Sequence, residues 1–317
     1  MIPSKLYIAG HTGLIGSALL RRFRLDDNYT VLTADHRELE LEDAKAVRAF
    51  FDQHLPEFVI LAAGKVGGIM ENSTLPADFI RTNLAIQLNV LEAAHRAGVK
   101  RLLLFASSCM YPQDCPQPMA EDRLFTGVPE PTSMAYAISK MAGMQLCLAY
   151  NQQYGRKRFI PLIPNSVYGP NDNFDPDKGH VLSSLIRRFD QARIEGASSV
   201  RLWGNGMPKR EFVYADDLAE ACDLLLQADI SDIGLPINVG SGEDIDIKHL
   251  AELVAATVGY RGDIEWDISK PNGAPRKLLD SSRIQSTGWR ARTELHDGVN
   301  ATYSWYLKHV KAVESVT

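Results

Sequence analysis

The strongest constraint on this chain lies in its first sixteen residues. "KLYIAG", Lys5 to Gly10, is a short apolar run of the kind that makes a buried parallel strand. "HTGLIGSALLRRF" follows at once and opens a helix. Across the junction Gly10, Gly13 and Gly16 are spaced G-x-x-G-x-x-G. Glycine lets the backbone turn tightly and approach a pyrophosphate. The helix N-terminus adds free N–H groups and the positive end of its dipole. Three glycines alone also make an ordinary tight turn. The strand before and the helix after are what point to a dinucleotide site.

Strand and helix signals alternate from there. "YTVLTAD" (29–35) reads as a second strand, "EDAKAVRAFFDQH" as a helix and "FVILAAG" (58–64) as a third strand. A long amphipathic helix covers 76–98 and ends at Gly98, a C-cap signal. "RLLLFASS" is the next strand and "AYAISKMAGMQLCLAYNQQYG" the next helix; "RFIPLIPNSVYG" is strand-like up to its prolines. This order predicts an α/β fold: a doubly wound parallel (Rossmann) sheet with right-handed crossovers. After Gly169 the pattern breaks into loop chemistry, then a helix with Arg187 and Arg188, then mixed strand–helix pieces. The expected division is a dinucleotide-binding domain over 1–165 and a smaller C-terminal α/β domain over 166–317. Residues 212–241 are expected to return to the first sheet.

Composition narrows the partners. The 317 residues are 45% hydrophobic and 23% charged, enough to bury a core without staples. A net charge of −5 carries no electrostatic footprint for nucleic acid. No run of 18 apolar residues is present, so no membrane span is expected, and the N-terminus lacks a secretory apolar region. Four scattered cysteines, at 109, 115, 147 and 222, read as reduced cytoplasmic thiols, and no zinc spacing is present.

The second strand speaks to the cofactor. An acid at its end favours NAD, and basic residues favour the 2′-phosphate of NADP. Here Asp35 is followed by His36 and Arg37. Arg37 can clamp a phosphate, and Asp35 can equally cap the turn; the balance favours NADP. Further on, Tyr136 and Lys140 share one helix face. A nearby ammonium favours the phenolate and makes a tyrosine a usable acid/base. Ser107 ends the preceding strand, at the carboxyl edge of the sheet where ligands lie.

With these motifs the chain resembles the extended short-chain dehydrogenase/reductases, and within them the GDP-L-fucose synthase family of epimerase/reductases. The likeness is carried by "IAGHTGLIGSA", "AAGKVGGIMENSTLPADFI", "SSCMYP", "QPMAED", "AYAISKMAG", "NQQYGR", "YGPNDNF", "WGNGMPKREF" and "SKPNGAPRKLLD", from Leu6 to about Tyr306. It implies NADPH-dependent 3,5-epimerisation and 4-reduction of a GDP-4-keto-6-deoxy sugar. Cys109 and His180 would move the protons at C3 and C5. Tyr136 would protonate the new oxygen at C4, Ser107 would hold the keto oxygen, and Lys140 would tune Tyr136 and hold the nicotinamide ribose.

The resemblance also assigns binding positions. NADP(H) would lie against Gly10, Thr12, Gly13, Leu14, Ile15 and Gly16, with His36 and Arg37 at the adenosine end. Ala62, Ala63, Pro164, Ser166, Val167 and His180 would complete the pocket with Lys140. Arg188, Trp203, Arg210 and Asp280 would hold the GDP part, the arginines through bidentate phosphate contacts and the indole by stacking on the base. No metal is implied, and the expected assembly is a homodimer. Three departures stand out. Pro164-Asn165-Ser166 replaces the usual Pro-Thr-Asn, Thr12 replaces the usual arginine, and "TADHRE" replaces an arginine-bearing stretch. The first bears on the hexose, the others on the NADP preference. Rival readings are a relative acting on another GDP-4-keto sugar (a deoxyheptose or the colitose precursor), a pure reductase, a nucleotide-sugar 4,6-dehydratase or 4-epimerase, and a non-catalytic dinucleotide binder. Dehydratases carry Thr-Asp-Glu where this chain has Ser107-Ser108-Cys109, and an intact Ser107/Tyr136/Lys140 set argues against the last.

Overall fold

A computed structural model describes residues 2–176, 178–230, 233–270 and 272–312. The first half of the chain runs β1 (Ser4–Ala9), α1 (Leu14–Phe23), β2 (Tyr29–Leu32), α2 (Ala44–His54), β3 (Phe58–Leu61), α3 (Ile69–Thr74), α4 (Pro76–Arg96), β4 (Arg101–Phe105), α5 (Met134–Tyr154) and β5 (Phe159–Pro164). The second half runs β6 (Ser166–Tyr168), α6 (Val181–Glu195), β7 (Ser199–Trp203), β8 (Lys209–Tyr214), α7 (Ala215–Gln227), β9 (Ile237–Val239), β10 (Asp244–Asp246), α8 (Ile247–Val258), β11 (Asp263–Asp267), β12 (Arg276–Lys277), α9 (Ser282–Gln285) and α10 (Leu295–Tyr306).

Six parallel strands form the main sheet in the order β2-β1-β3-β4-β5-β9. Both faces are covered, which is why the strands read as continuous apolar runs. Side chains alternate across the pleat. Leu6 and Ile8 of β1 join Ile60, Leu103 and Leu162 on one face, packed under α1 and α7 with Leu19, Phe23, Leu218 and Leu225. Tyr7 and Ala9 join Val59, Leu61, Leu102 and Leu104 on the other, beneath Val47, Phe51, Val90 and Leu91 of α2 and α4.

The remaining strands lie outside that sheet. β8 pairs with β6 and β12 in parallel and with β10 antiparallel, while β7 and β11 form a separate parallel pair. Their core joins Leu182, Ile186 and Phe189 of α6 to Leu250 and Val254 of α8 and Val299 of α10.

Two expectations needed correction. The second strand stops at Leu32 rather than Asp35, because Asp35 turns the chain by accepting hydrogen bonds from the N–H groups of Arg37 (2.7 Å) and Glu38 (3.1 Å). β5 also continues through Pro161, which pairs in register with Leu104. Its missing N–H falls before the pairing with β9, which begins at Leu162, so no ladder bond is lost there.

Candidate active site

The carboxyl ends of β1, β3, β4 and β5 open onto a cleft of about 1060 Å³, closed on the other side by α6 and the β7–β8 region. Its first wall is the glycine turn. Gly10 sits at φ +84°, a left-handed conformation, and a Cβ there would lie 2.7 Å from the Ala63 nitrogen. A Cβ on Gly16 would lie 1.9 Å from the Gly10 carbonyl oxygen. Gly13 differs: its backbone is extended (φ −79°, ψ 177°), and the nearest atom to an added Cβ is 3.7 Å away. The first and third glycines answer to the protein's own packing, while the second leaves room at the N-terminus of α1, facing the cleft. That free space beside unpaired helix N–H groups fits a dinucleotide pyrophosphate. Gly13, Leu14, Ile15 and Gly16 line the cleft, as do Ala62, Pro164, Ser166 and Val167; Gly10, Thr12 and Ala63 are not among its lining residues, and Thr12 is exposed to solvent.

The end of β2 shows how the acid and the base divide. Asp35 spends its carboxylate on the turn, and those two backbone hydrogen bonds hold its carboxyl below the usual range. His36 and Arg37 project into solvent, with side chains 83% and 94% exposed. His36 pairs with Glu40 at 3.0 Å, and the Arg37 guanidinium lies 4.0 Å from Asp35.

Past β4 the chain turns through Ser107, Ser108 and Cys109, and the Ser107 hydroxyl accepts from the Cys109 N–H at 3.2 Å. Across from it α5 brings Tyr136 and Lys140 to the same wall. Lys140 is 5% exposed and donates to the Phe105 carbonyl at 2.9 Å; burial pushes its ammonium down to about 8. The sequence argument expects that ammonium to lower the Tyr136 pKa. Instead burial raises it, with the Cys109 charge adding to the rise and a hydrogen bond from Ser107 opposing it. Tyr136 is therefore held as a phenol.

His180 reaches the cleft from the N-terminus of α6. Its Nδ1 lies 3.5 Å from Oδ1 of Asp172, whose side chain is 3% exposed. That hydrogen bond raises the imidazole pKa against the opposing effect of burial. Asp172 itself is anchored by Ser183 and by the Asn173 N–H at 2.8 Å. The sequence reading missed Asp172. Its only signal is a carboxylate eight residues ahead of the histidine inside a loop.

Arg188, Trp203 and Arg210 also line the cleft. Arg188 donates to the Pro176 carbonyl at 2.8 Å and Arg210 to that of Ala274 at 2.8 Å, so both guanidinium groups are braced by backbone. Trp203 is 58% exposed, with the Lys270 ammonium 5.6 Å from its ring centre. Asp280 is not brought to the cleft wall. Its carboxylate accepts from the Ser282 N–H at 3.0 Å ahead of α9. Lys277, three residues earlier, lines the cleft instead, paired with Glu130 at 3.7 Å. Asn72 was also missed. It is 8% exposed, gives both N–H groups to Gly67 (2.8 Å) and Gly68 (3.0 Å), and leaves Oδ1 without a partner at the cleft wall.

The family model described as "NAD dependent epimerase/dehydratase family" matches residues 6–240. GDP-L-fucose synthase 1 of Arabidopsis thaliana is 48% identical, over 97% of this chain and 94% of its own. GDP-L-fucose synthase of Escherichia coli K12 is 43% identical, over 98% of each. Among solved structures, a GDP-D-glycero-L-gluco-heptose synthase of Campylobacter jejuni, determined in the presence of NADPH, superposes with a TM-score of 0.87 at 35% identity, over 98% of this chain and 99% of that one.

Proposed function

Because this chain belongs to the NAD dependent epimerase/dehydratase family and, within it, to the GDP-L-fucose synthases, we propose that it converts GDP-4-keto-6-deoxy-D-mannose to GDP-L-fucose by 3,5-epimerisation and NADPH-dependent reduction at C4. The observation that carries this reading is that one cleft gathers Ser107, Cys109, Tyr136, Lys140 and His180 with the open space at Gly13 and with Arg188, Trp203 and Arg210.

The residues divide the work as follows. The 4-keto group acidifies the hydrogens on C3 and C5. Cys109 removes each proton, and the enolate charge collects on O4, where the Ser107 and Tyr136 hydroxyls donate to it. His180 returns a proton to the opposite face. Its partner Asp172 favours the imidazolium, the form that an acid needs. When bound, NADPH supplies hydride to C4. Tyr136 then gives its phenolic proton to the new alkoxide, and its raised pKa keeps that proton in place beforehand. Lys140 stays charged below about 8 and would donate to the nicotinamide ribose. Gly13 to Gly16 would hold the pyrophosphate, and Arg37 the 2′-phosphate. Arg188 and Arg210 would clamp the GDP diphosphate, with Trp203 on the base.

The four cysteines are unpaired, in keeping with a reducing cytoplasm. Leu84 and Leu88 of α4 and Ile138 of α5 are exposed, 37%, 55% and 44%, and suit a homodimer interface. Sedimentation at twice the chain mass tests the dimer. A GDP-4-keto heptose is the second substrate reading, favoured by the likeness to the Campylobacter synthase.

The deciding experiment supplies GDP-4-keto-6-deoxymannose and NADPH in deuterated water. Steady NADPH oxidation, with deuterium at C3 and C5 of GDP-fucose, is the expected result. Faster turnover of a GDP-4-keto heptose would favour the second reading, and no net NADPH consumption with either substrate would defeat both.

A further inference from the structure

Behind the Ser107–Cys109 turn lies a chain of buried polar groups that the reaction does not touch directly. The Ser108 hydroxyl donates to Oδ1 of Asn165 at 3.1 Å. Nδ2 of Asn165 donates to Oε2 of Glu211 at 2.9 Å and to the Lys277 carbonyl at 3.1 Å. Glu211 also accepts from the N–H groups of Gly242 (2.8 Å) and Leu279 (3.0 Å). Asn165 is 7% exposed and Glu211 0%.

A carboxylate buried with hydrogen bonds alone to hold it is costly, and an apolar side chain fills such a space more cheaply. The fold nevertheless makes room for this one. A Cβ on Gly240, just past β9, would lie 2.3 Å from Oε1 of Glu211. What this carboxyl offers is direction: burial raises its pKa, and the N–H groups of Asn165, Gly242 and Leu279 that point at its oxygens make it the acceptor in each of those contacts. Together with the Lys277 carbonyl it fixes Nδ2 of Asn165 on that side, which leaves Oδ1 toward Ser108, which obliges the Ser108 hydroxyl to donate. Ser108 stands between Ser107 and Cys109, and both Ser108 and Asn165 line the cleft.

We propose that Glu211, acting through Asn165, is a positioning residue that holds the Ser107–Cys109 turn in its reactive geometry. The proposal rests on the roles given above to Ser107 and Cys109. Glu211→Gln tests it, since the amide must turn its N–H groups either on the Asn165 and Leu279 donors or on the Gly242 N–H, and so disturbs the contact that aims Asn165. Ser108→Ala tests the last link alone and leaves the Asn165–Glu211 contact intact. Misplacement of a reacting group by about 1 Å costs on the order of 100-fold. Both variants are therefore expected to lower kcat for NADPH oxidation and the rate of deuterium entry at C3 and C5 by roughly 10- to 100-fold. KM for the GDP-sugar should stay within about twofold, because uniform binding is untouched. A residue that only supports the fold would lower Tm and leave kcat per folded molecule unchanged. Cys109→Ser run alongside separates the two ideas: deuterium entry that survives it removes the base role from Cys109 and leaves the positioning claim to the NADPH rates. If folded Ser108→Ala and Glu211→Gln keep the parent kcat and exchange rates, the positioning role is overturned.

Discussion

The Lys140 ammonium lies 5.7 Å from the centre of the Tyr136 ring while it donates to the Phe105 carbonyl at 2.9 Å. It therefore stands beside the aromatic face, tied to the end of β4. Both groups are desolvated, and burial acts on them in opposite directions: it raises the phenol and lowers the ammonium. The two charged forms are each disfavoured, and near neutral pH the pair rests as phenol and ammonium. That is the state a reductase needs before an alkoxide forms.

Tyr136→Phe removes the proton donor and keeps the ring that packs against Phe79 at 6.1 Å. General acid help is worth ~10²–10⁴-fold, so the reduction rate should fall by about that factor. Binding of the GDP-sugar, measured by calorimetry, should persist. Reduction at the parent rate would take the acid role away from Tyr136.

Lys140 gives a pH prediction. Its pKa is lowered to about 8, so the ammonium is complete below that value and lost as pH rises through it. A lysine ordinarily titrates near ~10.4. The kcat profile for NADPH oxidation should therefore carry a basic limb near pH 8. A profile that stays flat to pH 10 would contradict this role.

His180 shifts the other way. Asp172 raises its pKa, so the imidazolium persists to higher pH than for an isolated histidine. Asp172→Asn keeps the shape and removes the charge. In that variant the imidazolium should be lost at lower pH, and the basic limb of deuterium entry at C3 and C5 should move down with it. An unmoved limb would mean that His180 is not the proton donor.

The glycine turn separates a structural glycine from a binding one. Gly16→Ala places a methyl 1.9 Å from the Gly10 oxygen and should fail to fold or lose several degrees of Tm. Gly13→Ala meets nothing closer than 3.7 Å and should fold normally, yet the methyl enters the space proposed for the pyrophosphate. Its Kd for NADPH should rise at least tenfold. Equal NADPH affinity in folded Gly13→Ala would remove the pyrophosphate from that spot.

The main sheet was legible because its strands are buried on both faces, and runs such as "RLLLF" need no tertiary context to be read. The lesser sheets were not. β10 and β12 have three and two residues, and their pairing depends on β8, at a distance that no local pattern encodes. In the site, Tyr136 and Lys140 could be paired from sequence because one helix spacing relates them. Asp172, Asn165 and Glu211 could not, since each acts through a partner supplied by folding. Asp280 shows the converse: its motif was visible, but its carboxylate is turned to Ser282. The direction of the Tyr136 shift was also beyond sequence, because burial outweighs the neighbouring charge.

Cys109 and His180 are assigned to C3 and C5 alone, since protonation at O4 falls to Tyr136. Cys109→Ser exchanges a thiol for an alcohol that does not ionise usefully. The serine can still accept from and donate to its surroundings, and the Ser107 hydroxyl that receives the residue 109 N–H at 3.2 Å is untouched. Enolate formation should therefore slow severely while the reducing set of Ser107, Tyr136 and Lys140 stays in place. The variant should then reduce the unepimerised 4-keto sugar and release GDP-rhamnose or its 4-epimer in place of GDP-fucose. Product analysis by NMR, with deuterium content read at C3 and C5, checks both halves of the claim. Undiminished deuterium entry at both carbons would return Cys109 to a half-buried thiol without a role, and loss of NADPH oxidation together with exchange would mean that the two chemistries are not separable at this residue.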